Sequence, residues 1–348
     1  MISYPDALVN HEAKCRGESR LQKAPTIRCH AKEHAVKQQS IKIQQIKDAP
    51  PAGFTNPTAL PTDESQQSAW QQQNQAWWQK HSMRYDFSSP IPYEEFTEPF
   101  YDEIDRRFFE SASHYLPPRQ TPFDRLIDFD SLRDKDVLEI GCGNGSHAQL
   151  LASRAKSYTG IDLTDYAVRS TSTRLALRQL PGTVLQMDAE AMKFPDHSFD
   201  FIWTWGVIHH SANTPRIIQE MNRVLKPGGR ATVMVYYRGL WNFYAIGTLI
   251  SLLNRELPTP RTVHSSRQSV EDGALARYYR PSEWRRMVRD NFSVRRTRIY
   301  GQKDLLILLP GGRVKRTLLN LIPDPVGRFL TGPCRMGNFL VADMQKNG

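Results

Sequence analysis

Residues 136–145 read DVLEIGCGNG, and residues 157–164 read SYTGIDLT. Each opens on a short apolar run of strand length and closes on glycine or an acid. Between them residues 146–154 (SHAQLLASR) have helical spacing, so the whole reads strand, glycine turn, helix, strand. The rhythm continues outward. A helix is expected over 165–179, Pro181-Gly182 turns the chain into a third strand at 183–187 (TVLQM), and 199–204 (FDFIWT) reads as a fourth. A helix at 214–225 leads to a fifth strand at 230–236 (RATVMVY). Parallel strands need helical crossovers, and right-handed ones build a doubly wound α/β sheet. The pattern breaks between residues 238 and 280, then resumes with a helix at 281–290 and strands near 292–300 and 339–344.

Flanking composition divides the chain further. Residues 1–66 are rich in Lys, Gln, His, Pro and Thr and poor in large apolar groups, which predicts a disordered extension. From residue 67 aromatics become dense, and 98–113 has helical apolar spacing, so 67–130 is expected to be a helical cap. Residues 131–237 form the α/β core, 238–290 an insertion after the fifth strand, and 291–348 the strands that complete the sheet.

Charge is unevenly spread. The net +10 arises from +2 in residues 1–66, −3 in 67–237 and +11 in 238–348, where 19 Lys and Arg face eight acids. A basic pI invites a nucleic-acid reading, but the basicity is local and leaves its partner open; with no recognisable RNA-binding appendage, nucleic acid is not expected. No apolar run reaches the roughly 18 residues of a spanning helix, and no basic segment followed by an apolar stretch marks a secretory signal. The four cysteines (Cys15, Cys29, Cys142, Cys334) are scattered, with no metal-ligand spacing. That pattern excludes a disulfide or zinc scaffold and fits the reducing cytoplasm.

Gly141, Gly143 and Gly145 alternate at the end of the first strand, where doubly wound folds bind ligands and glycine lets backbone approach them. A dinucleotide fingerprint G-x-G-x-x-G competes, but the spacing here is G-x-G-x-G and Ser146 stands at its sixth position. Taken with GIDLT at 160–164, Asp188-Ala189 after the third strand, FDFIW in the fourth and Leu225-Lys226-Pro227-Gly228-Gly229 before the fifth, the motif resembles the class I S-adenosylmethionine (SAM) dependent methyltransferases. Within them it is most similar to the methyltransferase type 11 group, which includes the ubiquinone and menaquinone C-methyltransferases.

The resemblance implies a Rossmann-like, doubly wound seven-stranded sheet, SAM as cofactor, and a small-molecule acceptor whose O, N, C or S nucleophile stays open. It sets Gly141, Cys142, Gly143, Asn144 and Gly145 against the methionine and ribose part of SAM, with Glu139 supporting the loop. Asp162 corresponds to the acceptor of the ribose hydroxyls, with Leu163 beside the adenine. Asp188 corresponds to the acid near the adenine amino group, with Ala189 packed alongside. Trp205 and Gly206 fall near the methyl donor.

On the acceptor side, His209 and His210 follow the fourth strand and are candidate general bases. The alternative has one histidine capping the loop and the other stacking on the cofactor. Tyr85, in the unusual segment WWQKHSMRYD at 77–86, and Tyr236 and Arg238, after the fifth strand, are candidate substrate contacts. The adenine- or glutamine-methylating N/D-P-P-F/Y tetrapeptide is missing, with Thr204-Trp205-Gly206-Val207 in its place, and no metal pattern appears. The insertion, with GLWNFYAIGTLISLL at 239–253 and many arginines after it, suggests a lid over an amphiphilic or anionic acceptor and peripheral contact with a membrane surface. Nothing calls for a stable protein partner. An RNA-modifying methyltransferase and a non-catalytic SAM-binding protein remain as alternatives.

Overall fold

A computed structural model describes residues 50–87, 89–309 and 312–348. Most of the extension expected at 1–66 therefore lies outside the described residues, as do Cys15 and Cys29. The chain forms α1 (Glu64–Lys80), α2 (Glu98–Tyr115), β1 (Asp136–Ile140), α3 (Ser146–Ala152), β2 (Ser157–Asp162), α4 (Asp165–Leu177), β3 (Thr183–Gln186), β4 (Phe199–Trp205), α5 (Thr214–Val224) and β5 (Leu225–Tyr237). A π-helical turn (Leu240–Ala245) then leads to α6 (Ile246–Leu253), α7 (Pro260–Gln268), β6 (Tyr278–Tyr279) and α8 (Pro281–Val288). The remainder is β7 (Phe292–Tyr300), α9 (Arg313–Asn320), α10 (Asp324–Thr331) and β8 (Phe339–Lys346). Among the described residues no helix is long and apolar enough to cross a membrane.

The strands run β3-β2-β1-β4-β5-β8-β7, a seven-stranded path as expected, with the two-residue β6 paired beside the end of β5. β1 to β5 are parallel, and β8 inserts antiparallel to both β5 and β7. Strand alternation sends successive side chains to opposite faces. Leu138, Ile140 and Ile202 pack with Ile217, Met221 and Trp284, from α5 and α8. Val137, Tyr158 and Trp203 pack with Phe108, Leu151 and Leu175, from α2, α3 and α4. The order reverses between β1 and β4: the chain steps out to β2 and β3, then returns to the other side of β1. In open α/β sheets that reversal opens a crevice at the carboxyl ends of the strands.

Two expectations need correction. The ordered chain begins well before residue 67: Phe54 is buried against Trp70 and packs edge-to-face at 5.6 Å. A short strap with one buried aromatic gains enough apolar burial to order, although its average composition is polar. Tyr278 and Tyr279, which fall where the strand pattern is expected to break (238–280), instead form β6, in register with Tyr236 and Tyr237. α9 and α10, between β7 and β8, went unread.

The strap is pinned by Arg277. This fully buried guanidinium donates from Nε to Ala59 O (2.8 Å), from Nη2 to Ala212 O (2.6 Å) and from Nη1 to Ser211 O. It also lies 5.4 Å from the Phe54 ring centroid. One side chain of the insertion thereby gathers the strap and the turn after β4. Arg277→Met would leave three carbonyls without their charged donor, each loss costing about 1–3 kcal/mol. The variant should melt roughly 6 °C or more below the parent, with proteolysis first appearing in residues 50–63. An unchanged melting curve would mean that the strap is held by something else.

Candidate functional site

A cavity of about 1230 Å³ opens along the carboxyl ends of β1, β2, β3 and β4. At one end is the loop after β1. Gly141, Gly143 and Gly145 have φ of 78°, 54° and 80°, a region that favours glycine. A Cβ on Gly141 would come within 2.3 Å of Val207, after β4, so this loop tolerates no side chain there. At Gly143 no atom of the described residues would lie within 4 Å of a Cβ, and the backbone there faces open cavity. The Gly143 N–H donates to Asp162 Oδ2 (3.1 Å), while Oδ1 accepts from the Thr164 N–H (3.0 Å) and hydroxyl (2.9 Å). Burial pushes the Asp162 carboxyl up, and these backbone donors oppose the shift.

The other loop members divide between lining and scaffolding. Asn144 donates to Met83 O (2.7 Å) and accepts from the Ser170 hydroxyl (2.7 Å), so its amide fastens the MRYD segment to α4. Cys142 is buried, and its thiol is pushed well up by desolvation, which makes it filler and not a nucleophile. Leu163, Asp188, Ala189, Trp205 and Gly206 all line the cavity. Trp205 is stacked on Trp203 at 5.5 Å. Gly145 and Glu139 do not line it.

Helix α1 closes this end with amides. Gln71 Nε2 donates to Asp188 Oδ1 (2.9 Å), and its Oε1 accepts from the Ala212 N–H (3.0 Å). Gln75 donates to Leu163 O (3.0 Å), and Gln67 to Glu190 (2.7 Å). Asn74, one turn from Gln71 and also lining the cavity, is buried with its Oδ1 unpartnered among the described residues. Periodicity of apolar residues missed this stripe because its inward face is made of Gln and Asn, with only Trp70, Trp77 and Trp78 as aromatic punctuation. Acceptors thus dominate the pocket end: Asp162, the remaining oxygen of Asp188 and the orphaned Asn74 carbonyl. They suit a ligand that offers hydroxyl and amino donors, as a nucleoside does.

The far end is aromatic. Tyr85, Phe87, Trp205, Met234, Tyr236 and Phe339 line it. Tyr85 sits at φ 56° and stacks on Phe108 at 4.8 Å. For a bulky residue this left-handed backbone is strained, a condition that clusters at functional positions. Burial pushes the Tyr85 and Tyr236 hydroxyls up, and the Asp272 carboxylate adds to the shift in both. Asp272, with Glu271, reaches the cavity from the end of the insertion, and no sequence motif marked it.

Three expected acceptor-side residues behave differently from one another. His210 lines the cavity, with Nδ1 2.8 Å from Leu275 O and its ring 5.1 Å from Trp78. A carbonyl can only accept, so Nδ1 carries the hydrogen and Nε2 the basic lone pair. His209 does not line the cavity. It is wholly buried behind Tyr236 at 4.0 Å, has no hydrogen-bond partner for either ring nitrogen among the described residues, and is held neutral by desolvation. Arg238 is also off the cavity, in an ion pair with Glu283 of α8. Among the described residues no arginine after the fifth strand lines the cavity: Arg267 pairs with Glu271, Arg277 holds backbone carbonyls, and the charged residues that the last third contributes to the lining are Glu271, Asp272 and Asp304. Among the described residues no group of three or more His, Cys, Asp or Glu could hold a metal ion.

Residues 138–233 match the family described as "Methyltransferase domain", a span that runs from β1 into β5 and holds the glycine loop, Asp162 and Asp188. This is a class I methyltransferase domain. The chain is 35% identical over 111 residues to 27-O-demethylrifamycin SV methyltransferase of Amycolatopsis mediterranei, covering 31% of this chain and 41% of that protein. It is 37% identical over 102 residues to phthiotriol/phenolphthiotriol dimycocerosates methyltransferase of Mycobacterium leprae, covering 28% and 37%. It therefore spans about two fifths of the length of these curated relatives. An S-adenosylmethionine dependent methyltransferase of known structure from Mesorhizobium loti aligns over 62% of this chain and 92% of its own, at 15% identity and a TM-score of 0.42.

Beneath the glycine loop, the methyltransferase domain keeps a buried acid. Glu139 accepts from the Tyr158 hydroxyl (2.7 Å), and His147 Nδ1 lies 3.8 Å from its other oxygen. Desolvation pushes the Glu139 carboxyl up to about 8 and the His147 imidazole down to about 3. Both are then neutral near pH 7, so the pair is no salt bridge; removing both charges is the cheaper way to bury them. His147 does line the cavity, inside a cage of Phe108, Phe123, Trp203 and Trp205, and sequence reasoning missed it.

A carboxyl raised from its ordinary 4.5 to about 8 binds a proton in the folded state that the unfolded chain has lost. Its contribution to stability is complete below pH 4.5 and falls as pH rises through that window. Relative to Glu139→Gln, the parent should lose up to about 1.4 kcal/mol per pH unit between pH 5 and 8. Melting temperatures of the two proteins across that range give the difference directly. Parallel curves would mean that Glu139 is ionised in the fold.

Proposed function

We propose that this chain transfers a methyl group from SAM to a small amphiphilic acceptor. The observation that carries the reading is one continuous cavity, which joins the carboxylate-lined nucleoside end to the aromatic end. Its volume exceeds the roughly 300–1,000 Å³ of a usual single-ligand pocket, which leaves room for cofactor and acceptor together.

When bound, SAM supplies a methyl group on an electrophilic sulfonium. The chain's own residues do the rest. Asp162 accepts from the ribose hydroxyls with its spare lone pairs, while its bond to the Gly143 N–H keeps the loop in place. Asp188 and the Asn74 carbonyl take the adenine amino group. Tyr85, Trp205, Met234, Tyr236 and Phe339 exclude water from the reacting end. Positioning of this kind supplies much of the rate of such a displacement. His210, through Nε2, accepts the acceptor's proton as its nucleophile forms the new bond. The charged side chains that the last third adds to the lining, Glu271, Asp272 and Asp304, are all acids and include no cation to bind an anionic acceptor, which favours an amphiphilic acceptor over the phosphates of RNA. The relatives named above, for a rifamycin and for phthiotriol and phenolphthiotriol dimycocerosates, lend support to a small-molecule acceptor.

Calorimetry should show binding of SAM and of S-adenosylhomocysteine. Asp162→Ala removes two charge-assisted hydrogen bonds of about 1.5 kcal/mol each, so the Kd should rise on the order of 100-fold. Binding of NADH with no affinity for SAM would overturn the reading. With an acceptor found by screening with labelled SAM, His210→Ala should lower kcat by about 100-fold or more and leave KM for SAM unchanged. His209→Ala should lower the melting temperature while turnover stays near that of the parent. Equal turnover in both variants would remove the base.

A further inference from the structure

α9 is amphipathic, and its apolar side faces water. Val314, Leu318 and Leu321 recur at i, i+4 and i+7, so they make a single stripe. They are 68%, 39% and 73% exposed, and α9 buries none of its side chains. After Pro323 the chain turns into α10, which adds Val326 and Phe329, 46% and 58% exposed. A surface helix ordinarily turns such a stripe toward the core. Here two consecutive helices leave theirs uncovered, and patches of this kind mark interaction sites.

The polar residues around the stripe are basic. Residues 303–335 hold six Lys and Arg against two acids. Asp324 is engaged by Lys303 (3.0 Å) and His114 (3.2 Å), and Lys315 acts on Asp304. Arg313, about 100° round α9 from Val314 and so at the edge of the stripe, forms no ion pair among the described residues, whereas Arg316 points to the opposite side of the helix. The α9–α10 segment also flanks the cavity. Gln302 and Asp304 precede it, Asn338 and Phe339 follow it, and all four line the cavity.

We propose that the α9–α10 segment docks in the plane of a bilayer that carries anionic headgroups. Val314, Leu318, Leu321 and Phe329 enter the acyl boundary, and Arg313, at the edge of the stripe, meets the headgroups. Apolar residues framed by Arg and Lys are what such a surface recognises. A second copy of the chain fits less well, because a two-fold contact would bring the same cations together. Docking places the cavity's rim at the membrane, so an acceptor dissolved in lipid reaches it without crossing water. The docking does not rest on the methyl-transfer reading, and its test reads lipid binding alone.

The full chain should float with phosphatidylcholine vesicles containing phosphatidylglycerol, and about tenfold less with phosphatidylcholine alone, the difference shrinking at high salt. Val314→Asp with Leu321→Asp, at exposed positions, should keep the melting temperature and lose flotation about tenfold. Arg313→Glu should weaken the preference for anionic vesicles about threefold or more. The proposal fails if the parent does not float, if the aspartate pair leaves flotation unchanged, if Arg313→Glu leaves the anionic preference unchanged, or if the chain elutes as a dimer that the aspartate pair turns into a monomer.

Discussion

A carboxylate drawn out of water must be satisfied, and the way the half-buried Asp162 is satisfied organises this molecule's cavity end. One oxygen takes the Gly143 N–H and the other the first donors of the turn into α4. The end of β2 thereby fixes the loop leaving β1. That loop reaches the carboxylate only because its glycines take left-handed backbone angles, and it slides beneath Val207 only because Gly141 has no Cβ. Three strand ends, β1, β2 and β4, are thus locked around one side chain. Desolvation of Asp162 is the cost of this arrangement, and backbone donors offset it.

A second layer, outside the sheet, is almost as ordered. Asp105 of α2 accepts from the Ser146 hydroxyl (2.7 Å) and Gln149 (2.5 Å) at the start of α3, and pairs with the buried Arg174 of α4 (2.7 Å). Asn144 ties the same loop to Met83. α1 adds its row of glutamines, and Arg277 fastens the strap that leads into it. The cap is therefore joined to the sheet through hydrogen bonds at the ligand-binding end, whereas the sheet holds its own helices mainly by apolar packing. Polar joints of this kind can be broken one by one, which suits an element that has to admit a ligand.

The parallel strands and the glycine loop were legible because each is a local signal: an apolar run of strand length, a turn needing glycine, an acid at a strand end. Asp162 was found for that reason, and Asp188, Leu163 and Trp205 through the family resemblance those signals carry; all four line the cavity. What stayed hidden depends on contacts between distant segments. His209 and His210 are neighbours in sequence and look equivalent, but a single turn (Ile208–His210) sends one behind Tyr236 and the other to the cavity wall. Arg238 resembled a substrate ligand until Glu283 claimed it. The amide face of α1 has no apolar period, and His147 carries no motif. Basicity in the last third was real, but net charge says nothing about which side chains point inward.

The recognisable stretch, residues 138–233, contains Asp162 with its own donors, Gly143 and Thr164, and also Asp188, but it lacks Gln71, which holds Asp188, and Asn74 and Asp105, which complete the same end of the cavity and its loop. What is inherited as a readable pattern is therefore smaller than what works as a physical unit. A fragment cut at the boundary of that pattern would carry the acids without the amides that shield them, and water would take the place of α1. Transplanting specificity between such proteins by exchanging cores alone would accordingly move the glycine loop and its acids and leave the cavity's other walls behind.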